Sequence, residues 1–431
     1  MTLPSNHTLR EHRDMKRLVV CCDGTWNRPD AKNVTNIEKI ARTVETDLAR
    51  TGGVQQLVLY LSGVGGAGYH TDRLLGGAFG LGLFHNVLAG YRFLALHYEP
   101  GDEIYVFGFS RGAYTARSLG GMIGKVGLLT RRALVEEKLP EAVERYQGTA
   151  SEAGEKGSST AEFKRDFCHP DTPIHFIGVF DTVGALGVPG ALRRRHQFHD
   201  VKLSDAVRSA RQALAADERR MKFEPCLWDA VDESCCEDPR VKQVWFEGAH
   251  SDVGGGYPEC GLSDSALLWM VSEANEQGLA FDEELLGMYV ACGKEAVRHD
   301  SSKPLFKVLD LVIRTKIRLG LADGRAFDRR DRRLHRPDCV SVRVAESTAD
   351  HYRAGEDYRP RNLAAMAHET DDFTGCVEPV IGLPEKDYDT IVGRLAQRGV
   401  SLGKSGAHVQ RPADSAPLRS LNPPAASRTA T

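Results

Sequence analysis

The stretch that most constrains the fold is an apolar run that ends at a serine between two glycines. Residues 104–109 predict a buried strand, and residues 111–123 predict a helix. Between them, Ser110 has Gly108 two residues before it and Gly112 two residues after it. This pattern is typical of a strand that turns sharply into a helix, where side chains at the flanking positions would collide with the neighbouring strand and helix. The sequence therefore predicts a strained bend that exposes the Ser110 hydroxyl.

Further apolar runs follow the same plan, each followed by turn residues, over 17–22, 55–61, 173–180 and 243–246. Helical spacing separates them over 33–48, 86–98 and 263–277, with Thr35 or Asn36 and Ser263 as N-caps. Continuous apolar strands that alternate with helices predict a mostly parallel sheet covered by helices on both faces. The expected fold class is therefore α/β, with inserted loops and helices.

Three segments have less regular patterns. Residues 201–215 are predicted to form a helix. Residues 74–84 are apolar but rich in glycine, and we expect a loop packed under the next helix, with a mobile flap near a lipid-like ligand as the alternative. Residues 300–400 are mixed, are basic over 325–336, and contain no motif that indicates a chemical role.

The domain organisation follows from composition along the chain. Residues 1–16 are polar and are expected to form a flexible tail. Residues 17–403 are expected to form one α/β domain with insertions at 130–170 and 300–400. Residues 404–431 are rich in Pro, Ala, Ser and Arg, so we expect a disordered tail.

Composition excludes several classes of protein. The net charge is −3 in 431 residues and no block of like charge occurs, so nothing indicates nucleic-acid binding. The ten cysteines are scattered without C-x-x-C spacing, which favours reduced cysteines and no zinc, and we expect no cofactor. No stretch approaches the ~20 apolar residues of a membrane span. Without an apolar leader, a cytoplasmic location is expected, and export by a route without a signal peptide stays open.

Chemically capable residues directly follow four of the predicted strands: Asp23, Ser110, Asp181 and His250. The carboxyl ends of parallel strands share one edge of a sheet, so we expect these residues to meet there. A serine hydroxyl needs a base such as histidine, and a buried carboxylate then orients that histidine. The predicted catalytic set is therefore Ser110, His250 and Asp181, in the chain order Ser-Asp-His.

Other residues compete for these roles. His70, His175 and His299 are rival bases, although His175 lies in the middle of a predicted strand. Asp181 could instead cap the turn after its strand. Its main rival as the acid is Asp252, which we expect to hold the histidine loop by accepting hydrogen bonds from backbone N–H groups.

An oxyanion needs two donors near the serine. The backbone N–H of Arg111 is the first predicted donor. The second is expected from the turn at Gly24 and Thr25, with Asp23 orienting this loop, and residues 65–66 are the runner-up. The Arg111 side chain could pair with an anionic group of a ligand, such as phosphate, or form a structural ion pair.

Together these residues resemble a bacterial and fungal α/β-hydrolase family of formerly uncharacterised domains, which includes the type VI secretion phospholipase effectors. The resemblance extends in order over about 20–275 and rests on blocks at 22–27, 63–65, 101–117, 180–184, 216–220, 227–228 and 248–257. It implies an α/β-hydrolase-like fold with a triad of Ser110, Asp181 and His250. It also implies lipid esterase activity.

The expected function is therefore hydrolysis of a carboxylic ester, a lipid or phospholipid above all, through an acyl-enzyme. The expected ligand is a lipid or other small ester, with transient contact to a membrane surface and an oligomeric state that the sequence does not indicate. One alternative is a metal-dependent phosphoesterase with Asp23, Asp181, His250 and Asp252 as ligands. Another is a non-catalytic binding protein that retains the fold.

Overall fold

The computed structural model describes residues 15–24, 33–63, 76–148, 159–183, 203–229, 237–290, 296–301, 315, 327–328, 331–336, 339–355 and 357–380. Its strands are β1 Lys16–Cys22, β2 Gln55–Leu61, β3 Glu103–Phe109, β4 Ile174–Phe180, β5 Ala210–Ala215, β6 Val241–Phe246, β7 Phe327–Asp328, β8 Asp331–Arg332, β9 Val342–Ala345 and β10 Val377–Glu378.

Helices alternate with most of these strands. They are α1 Asn36–Thr43, α2 Gly76–His97, α3 Arg111–Val126, α4 Arg131–Val135, α5 Leu139–Gln147, α6 Thr160–Phe167, α7 His250–Gly254, α8 Gly261–Glu276, α9 Glu283–Val290, α10 Glu346–Ala354 and α11 Arg361–Glu369. A short 3₁₀ turn, Met221–Phe223, follows β5.

Eight strands form one sheet in the order β10-β9-β6-β5-β4-β3-β1-β2, and each pairing between neighbours is parallel. The two remaining short strands, β7 and β8, form an antiparallel pair. The prediction of a mostly parallel α/β sheet is therefore confirmed. Because the strands are parallel, β1, β3, β4, β5 and β6 all end at the same edge.

The sheet is buried on both faces because its strands are apolar on both sides. In β1, Val19 and Cys21 belong to a core formed with α1, α8 and α9, whereas Leu18 and Val20 belong to a second core formed with α2 and α3. A third apolar cluster packs β6 and β9 against α10 and α11. Burial of these side chains supplies most of the driving force for folding.

The predicted helix over 201–215 is wrong throughout its described residues, because residues 203–209 form a turn and irregular backbone rather than a helix. Residues 210–215 form β5, which is buried along its whole length between β4 and β6. The alanine-rich sequence of this segment favours a helix, but insertion in the middle of the sheet satisfies its backbone on both sides and overrides that preference. Two carboxylates, Asp217 and Glu218, follow this strand at the edge of the sheet where Asp181 lies.

The segment at 74–84 also differs from the predicted loop, since α2 begins at Gly76 and continues to His97. Helix α1 begins after Thr35, whose hydroxyl accepts a hydrogen bond from the Glu38 N–H, as one of the two predicted caps. Ser263 is not a cap, because α8 begins two residues earlier, after Cys260.

The predicted tails fall mostly outside the described residues, although β1 begins at Lys16, the last residue of the predicted N-terminal tail. Residues 404–431 lie outside them entirely. The proposed insertion at 130–170 contains α4, α5 and α6. Within the described part of the chain, no helix combines the length and apolar character needed to cross a membrane.

Candidate active site

Ser110 lies at a strained bend between β3 and α3. Its backbone has φ 59° and ψ −118°, a positive φ that side chains rarely adopt. The Ser110 N–H donates to the carbonyl oxygen of Phe180, the last residue of β4, at 3.0 Å. The bend is therefore tied to the strand end from which Asp181 continues.

The two glycines of the motif allow the chain to pack closely at this bend. A Cβ on Gly108 would lie 2.5 Å from the carbonyl oxygen of Gly112, within the first turn of α3. Gly112 in turn lies against the end of β1. No side chain larger than hydrogen fits at either position, because in both cases the neighbouring atoms belong to backbone.

The structure brings His250 and Asp181 together. His250 Nδ1 lies 2.6 Å from Asp181 Oδ2, and both side chains are buried. His250 begins the short helix α7, and its ring lies against two aromatic rings, Phe109 at 4.6 Å and Phe223 at 4.9 Å between centroids. Because Phe109 directly precedes Ser110, this packing brings the imidazole next to the bend.

Asp181 is fully buried and has a second, cationic partner. Arg332 Nη1 donates to Asp181 Oδ1 at 2.6 Å, and Arg332 Nη2 donates to Asp181 Oδ2 at 3.1 Å. Burial by itself raises the pKa of Asp181, but the Arg332 charge and the hydrogen bond with His250 outweigh it and hold that pKa well below its usual range. Asp181 is therefore a carboxylate at neutral pH.

Sequence reasoning missed Arg332, because the basic run 325–336 contains several arginines and no motif that distinguishes one from the others. Arg332 and Leu334 are buried, whereas Arg333 between them is exposed. This alternation is typical of an extended segment with one buried face, and it becomes visible only in the structure.

A second missed residue, Glu218, follows β5. Its buried carboxylate accepts a hydrogen bond from the His250 backbone N–H at 3.3 Å and from the Ser301 hydroxyl at 2.7 Å. Arg220 pairs with the same carboxylate at 2.7 Å. Burial raises the pKa of Glu218, but hydrogen bonding and the charge of Arg220 lower it below its usual value. The segment 216–220 carried no predicted role because β5 was assigned to a helix.

Asp252 and His299, two rival residues, bind each other. The Asp252 carboxylate accepts hydrogen bonds from the backbone N–H groups of Ala249 and His299, and His299 Nδ1 lies 2.6 Å from Asp252 Oδ1. Asp252 thus holds the start of α7. Of the other rival histidines, His175 lies in β4 near Glu103, and His70 is outside the described residues.

Asp23 lies at the end of β1 and is buried. Its carboxylate accepts hydrogen bonds from Thr35 Oγ1 at 2.8 Å, from Tyr60 Oη at 2.7 Å and from the Gly24 N–H at 2.6 Å. We predicted that the Gly24 N–H would donate to the oxyanion. In this structure the Gly24 N–H donates to Asp23 Oδ1 instead. Thr25 and residues 65–66 lie outside the described residues.

Arg111 is the first residue of α3, where backbone N–H groups have no acceptor within the helix. Its N–H lies one residue after the serine, and its role as a donor to the oxyanion stays a prediction. The Arg111 side chain is half-buried, and burial lowers its pKa to about 10.

The alternative metal site is not assembled. The carboxylate oxygens of Asp23, Asp181 and Asp252 are directed at the separate partners given above, rather than at one shared point. Across the described residues, no group of three or more His, Cys, Asp and Glu side chains is arranged to hold a metal ion.

Two solved structures show a partial similarity to this chain. One is reported as the structure of the Tle1 effector bound to the VgrG spike from the type 6 secretion system, with 16% identity, a TM-score of 0.38 and coverage of 74% of this chain and 82% of that chain. The other is the crystal structure of an uncharacterized protein from Pseudomonas aeruginosa, with 15% identity, a TM-score of 0.36 and coverage of 89% and 66%.

Among curated proteins, the chain is similar to the uncharacterized protein YEL023C of Saccharomyces cerevisiae, with 33% identity over 239 residues. The match covers 51% of this chain and 33% of the yeast protein, so it extends over a third of that relative. The family model described as "T6SS, Phospholipase effector Tle1-like, catalytic domain" matches residues 16–273, more than half of the chain and the part that contains Ser110, Asp181 and His250. The resemblance found in the sequence is thereby confirmed, and the chain belongs to the family of Tle1-like phospholipase effector catalytic domains.

Proposed function

We propose that the chain is a serine hydrolase that cleaves a carboxylic ester of a lipid. In this proposal Ser110 is the nucleophile, His250 is the general base and acid, and Asp181 orients His250. The observation that carries it is the buried Asp181–His250 pair, 2.6 Å between Oδ2 and Nδ1, packed through Phe109 against the strained bend at Ser110. A positive φ at a serine has a cost of order 1–3 kcal/mol, which is typical of a functional site.

The reaction proceeds in two halves. His250 Nε2 accepts the Ser110 proton while Ser110 Oγ forms a bond to the ester carbonyl carbon. The oxyanion is stabilised by the Arg111 N–H at the start of α3, which adds the favourable field of the helix N-terminus. His250 then gives the proton to the leaving alkoxide as the C–O bond breaks, and an acyl-enzyme remains. A water molecule, deprotonated by His250, then attacks the acyl carbon. His250 returns this proton to Ser110 Oγ as the bond between Oγ and the acyl carbon breaks, which releases the carboxylic acid and restores the Ser110 hydroxyl.

Asp181 supports this cycle without exchanging a proton. It accepts the Nδ1 hydrogen bond, which leaves Nε2 directed at the serine, and it stabilises the imidazolium formed in each half. Its low pKa supports this role, since a protonated acid could not stabilise a positive ring. The apolar rings of Phe109 and Phe223 limit the rotation of His250.

The lipid substrate class rests on family membership, since the family is described as phospholipase effectors. The half-buried Arg111 guanidinium, adjacent to the nucleophile, also supports an anionic substrate such as a phospholipid. The acyl position and the chain length are open to direct measurement.

The test is to incubate the purified protein with phosphatidylcholine, phosphatidylethanolamine and phosphatidylglycerol vesicles and short acyl esters, with products read by mass spectrometry. The Ser110→Ala variant should lose hydrolysis by roughly 10⁴-fold or more. It should also lose labelling by a fluorophosphonate probe. Ser272→Ala, a change at a buried serine of α8, is the matched control and should retain both.

The outcomes separate the candidate functions. Full labelling of Ser110→Ala, or hydrolysis independent of Ser110, would contradict the nucleophile assignment. A chelator-sensitive phosphoesterase activity would favour the metal-dependent alternative. Tight lipid binding by wild type without any turnover would favour a binding protein that retains the fold.

A further inference from the structure

Beyond the proposed triad, the buried acid has a cation that the reaction cycle above does not use. We propose that Arg332 is a positioning residue for the hydrolysis proposed above, which fixes the Asp181 carboxylate and balances its charge so that Asp181 can orient His250. The inference rests on the proposed function and extends it to a residue outside the Ser-Asp-His set.

The contacts of Arg332 support the first role, in which it holds the Asp181 carboxylate in place. Each Asp181 oxygen receives one Arg332 nitrogen, and the same guanidinium is anchored by the carbonyl oxygens of Ala215 and Phe223. Asp181 also accepts the Ala215 N–H at 3.0 Å. A bidentate arginine fixes both the plane and the direction of a carboxylate, which a lysine would not do. Asp181 itself has φ 39°, so its backbone is held in an unusual conformation at the same point.

The charged groups around His250 support the second role, in which Arg332 balances the charge of Asp181. Three carboxylates face the imidazole or its helix, and each has a partner of its own: Asp181 has Arg332, Glu218 has Arg220, and Asp252 has His299. Arg332 is the arginine that forms an ion pair with the predicted triad acid, Asp181. Without its charge, burial would raise the pKa of Asp181, so this acid would lose the negative charge that orients His250 at a higher pH.

Arg332 comes from a segment beyond the part of the chain that the family model matches, residues 16–273. It lies in β8, one strand of the short β7–β8 pair, and its side chain is fully buried. The following residues extend this anchorage, because the Trp245 indole donates to the Leu334 carbonyl oxygen at 3.0 Å. The site is thus completed by a segment that the catalytic-domain match does not include.

The test compares Arg332→Gln, which removes the charge, with Arg332→Lys, which keeps the charge but loses the bidentate geometry. For Arg332→Gln, the acid limb of the kcat/KM profile should move up by about one pH unit or more. Its kcat should fall by on the order of 100-fold. Arg332→Lys should keep the acid limb near its wild-type position with a lowered kcat. The control is Arg211→Gln, which removes another buried arginine, paired with Glu273 at the opposite end of β5, and should leave the pH profile in place.

A double variant keeps the test valid if Arg332→Gln folds poorly. Asp181→Asn with Arg332→Gln removes both charges, and it should be more stable to urea than Arg332→Gln, because an unpaired buried carboxylate is no longer present. If Arg332 acts through Asp181, adding Arg332→Gln to Asp181→Asn should leave kcat within about threefold. If Arg332→Gln instead lowers kcat by the same factor in the Asp181→Asn background as in the wild-type background, the inference is overturned.

The two proposals fail in different ways. Hydrolysis that depends on Ser110, combined with an unchanged rate and pH profile in folded Arg332→Gln, would overturn only the role of Arg332. Absence of hydrolysis dependent on Ser110 in the wild-type protein would overturn the proposed function itself.

Discussion

Gly112, in the first turn of α3, lies directly against Cys22 at the end of β1: a Cβ on Gly112 would come within 2.1 Å of the Cys22 carbonyl oxygen. This contact sets the depth at which the helix approaches the sheet. It therefore also sets the position of Ser110, two residues earlier. The relationship explains why a glycine is required at a helical position where alanine would otherwise be preferred.

Gly112→Ala is expected to destabilise the protein by about 2 kcal/mol or more, since the new methyl group meets backbone that cannot move alone. The rate of fluorophosphonate labelling of Ser110 should also be lower in Gly112→Ala than in the wild-type protein. The matched control is Gly120→Ala in the same helix, where the added Cβ would meet only the ends of the Ile177 and Ile174 side chains rather than backbone. Urea unfolding of the two variants measures the difference, and equal stability would contradict the role assigned to the contact with Cys22.

Glu218→Gln is expected to lower kcat by roughly tenfold with little change in KM, because the His250 backbone and Arg220 lose a shared anionic acceptor. Steady-state kinetics on a soluble acyl ester would measure this. Glu273→Gln, at a buried glutamate paired with Arg211 and Lys242 away from the site, is the control. A larger loss of kcat in the control than in Glu218→Gln would show that the effect comes from general destabilisation.

The competing histidines can be separated by substitution. His250→Gln should reduce kcat by about 10⁴-fold or more, as expected for loss of the base. His299→Gln should reduce kcat by about tenfold at most, because His299 binds Asp252 at the start of α7 rather than Asp181. Kinetics of both variants on the same ester provide the comparison. A reversed order would transfer the role of the base to His299.

The Asp181 carboxylate should make stability depend on pH. Its pKa is lower in the folded protein than in the unfolded chain, so its contribution is complete above pH ~4 and is lost progressively as the pH falls towards the folded value. Asp181→Asn should therefore destabilise the protein by about 3 kcal/mol at pH 7. The difference from wild type should shrink by about 1 kcal/mol at pH 3.

Asp217→Asn supplies a control of opposite sign for this measurement. Burial raises the pKa of Asp217, so the wild-type protein gains stability when this group becomes protonated at low pH. The difference between wild type and Asp217→Asn should therefore not shrink on acidification. Urea unfolding at a series of pH values tests both variants, and the same trend for both would contradict the opposite shifts.

Chelation should leave ester hydrolysis unchanged. The oxygens of Asp23, Asp181 and Asp252 already accept hydrogen bonds from separate partners, so they are not arranged as one ligand set. Hydrolysis rates before and after dialysis against EDTA check this expectation. A loss that added Mg²⁺, Mn²⁺, Ca²⁺ or Zn²⁺ restores would favour the metal-dependent alternative.

Local patterns in the sequence were sufficient for much of the fold. The apolar runs before Asp23, Ser110, Asp181 and His250 predicted β1, β3, β4 and β6 to within two residues at each end. They did so because a strand buried on both faces must be continuously apolar. The parallel arrangement then followed from the alternation with helices, and it predicted which strand ends meet.

The sequence alone could not assign β5 or α2 correctly. Residues 210–215 have helix-forming composition, and only their position between β4 and β6 makes them a strand. Residues 76–84 are rich in glycine, yet they form the first part of α2. In both segments, contacts with elements distant in sequence outweighed intrinsic preference, which amounts to less than about 1 kcal/mol per residue.

By itself, the sequence determined the bend at Ser110, the glycines around it and the strand ends that carry Asp181 and His250, because those features depend on local chain geometry. Only the tertiary structure decided how the buried charges are compensated. Arg332 reaches Asp181 across 151 positions of sequence, and Glu218 reaches the His250 N–H across 32. Such contacts form because a charged group that folding removes from water needs an ionic or hydrogen-bonding partner. No spacing along the chain specifies which residue becomes that partner.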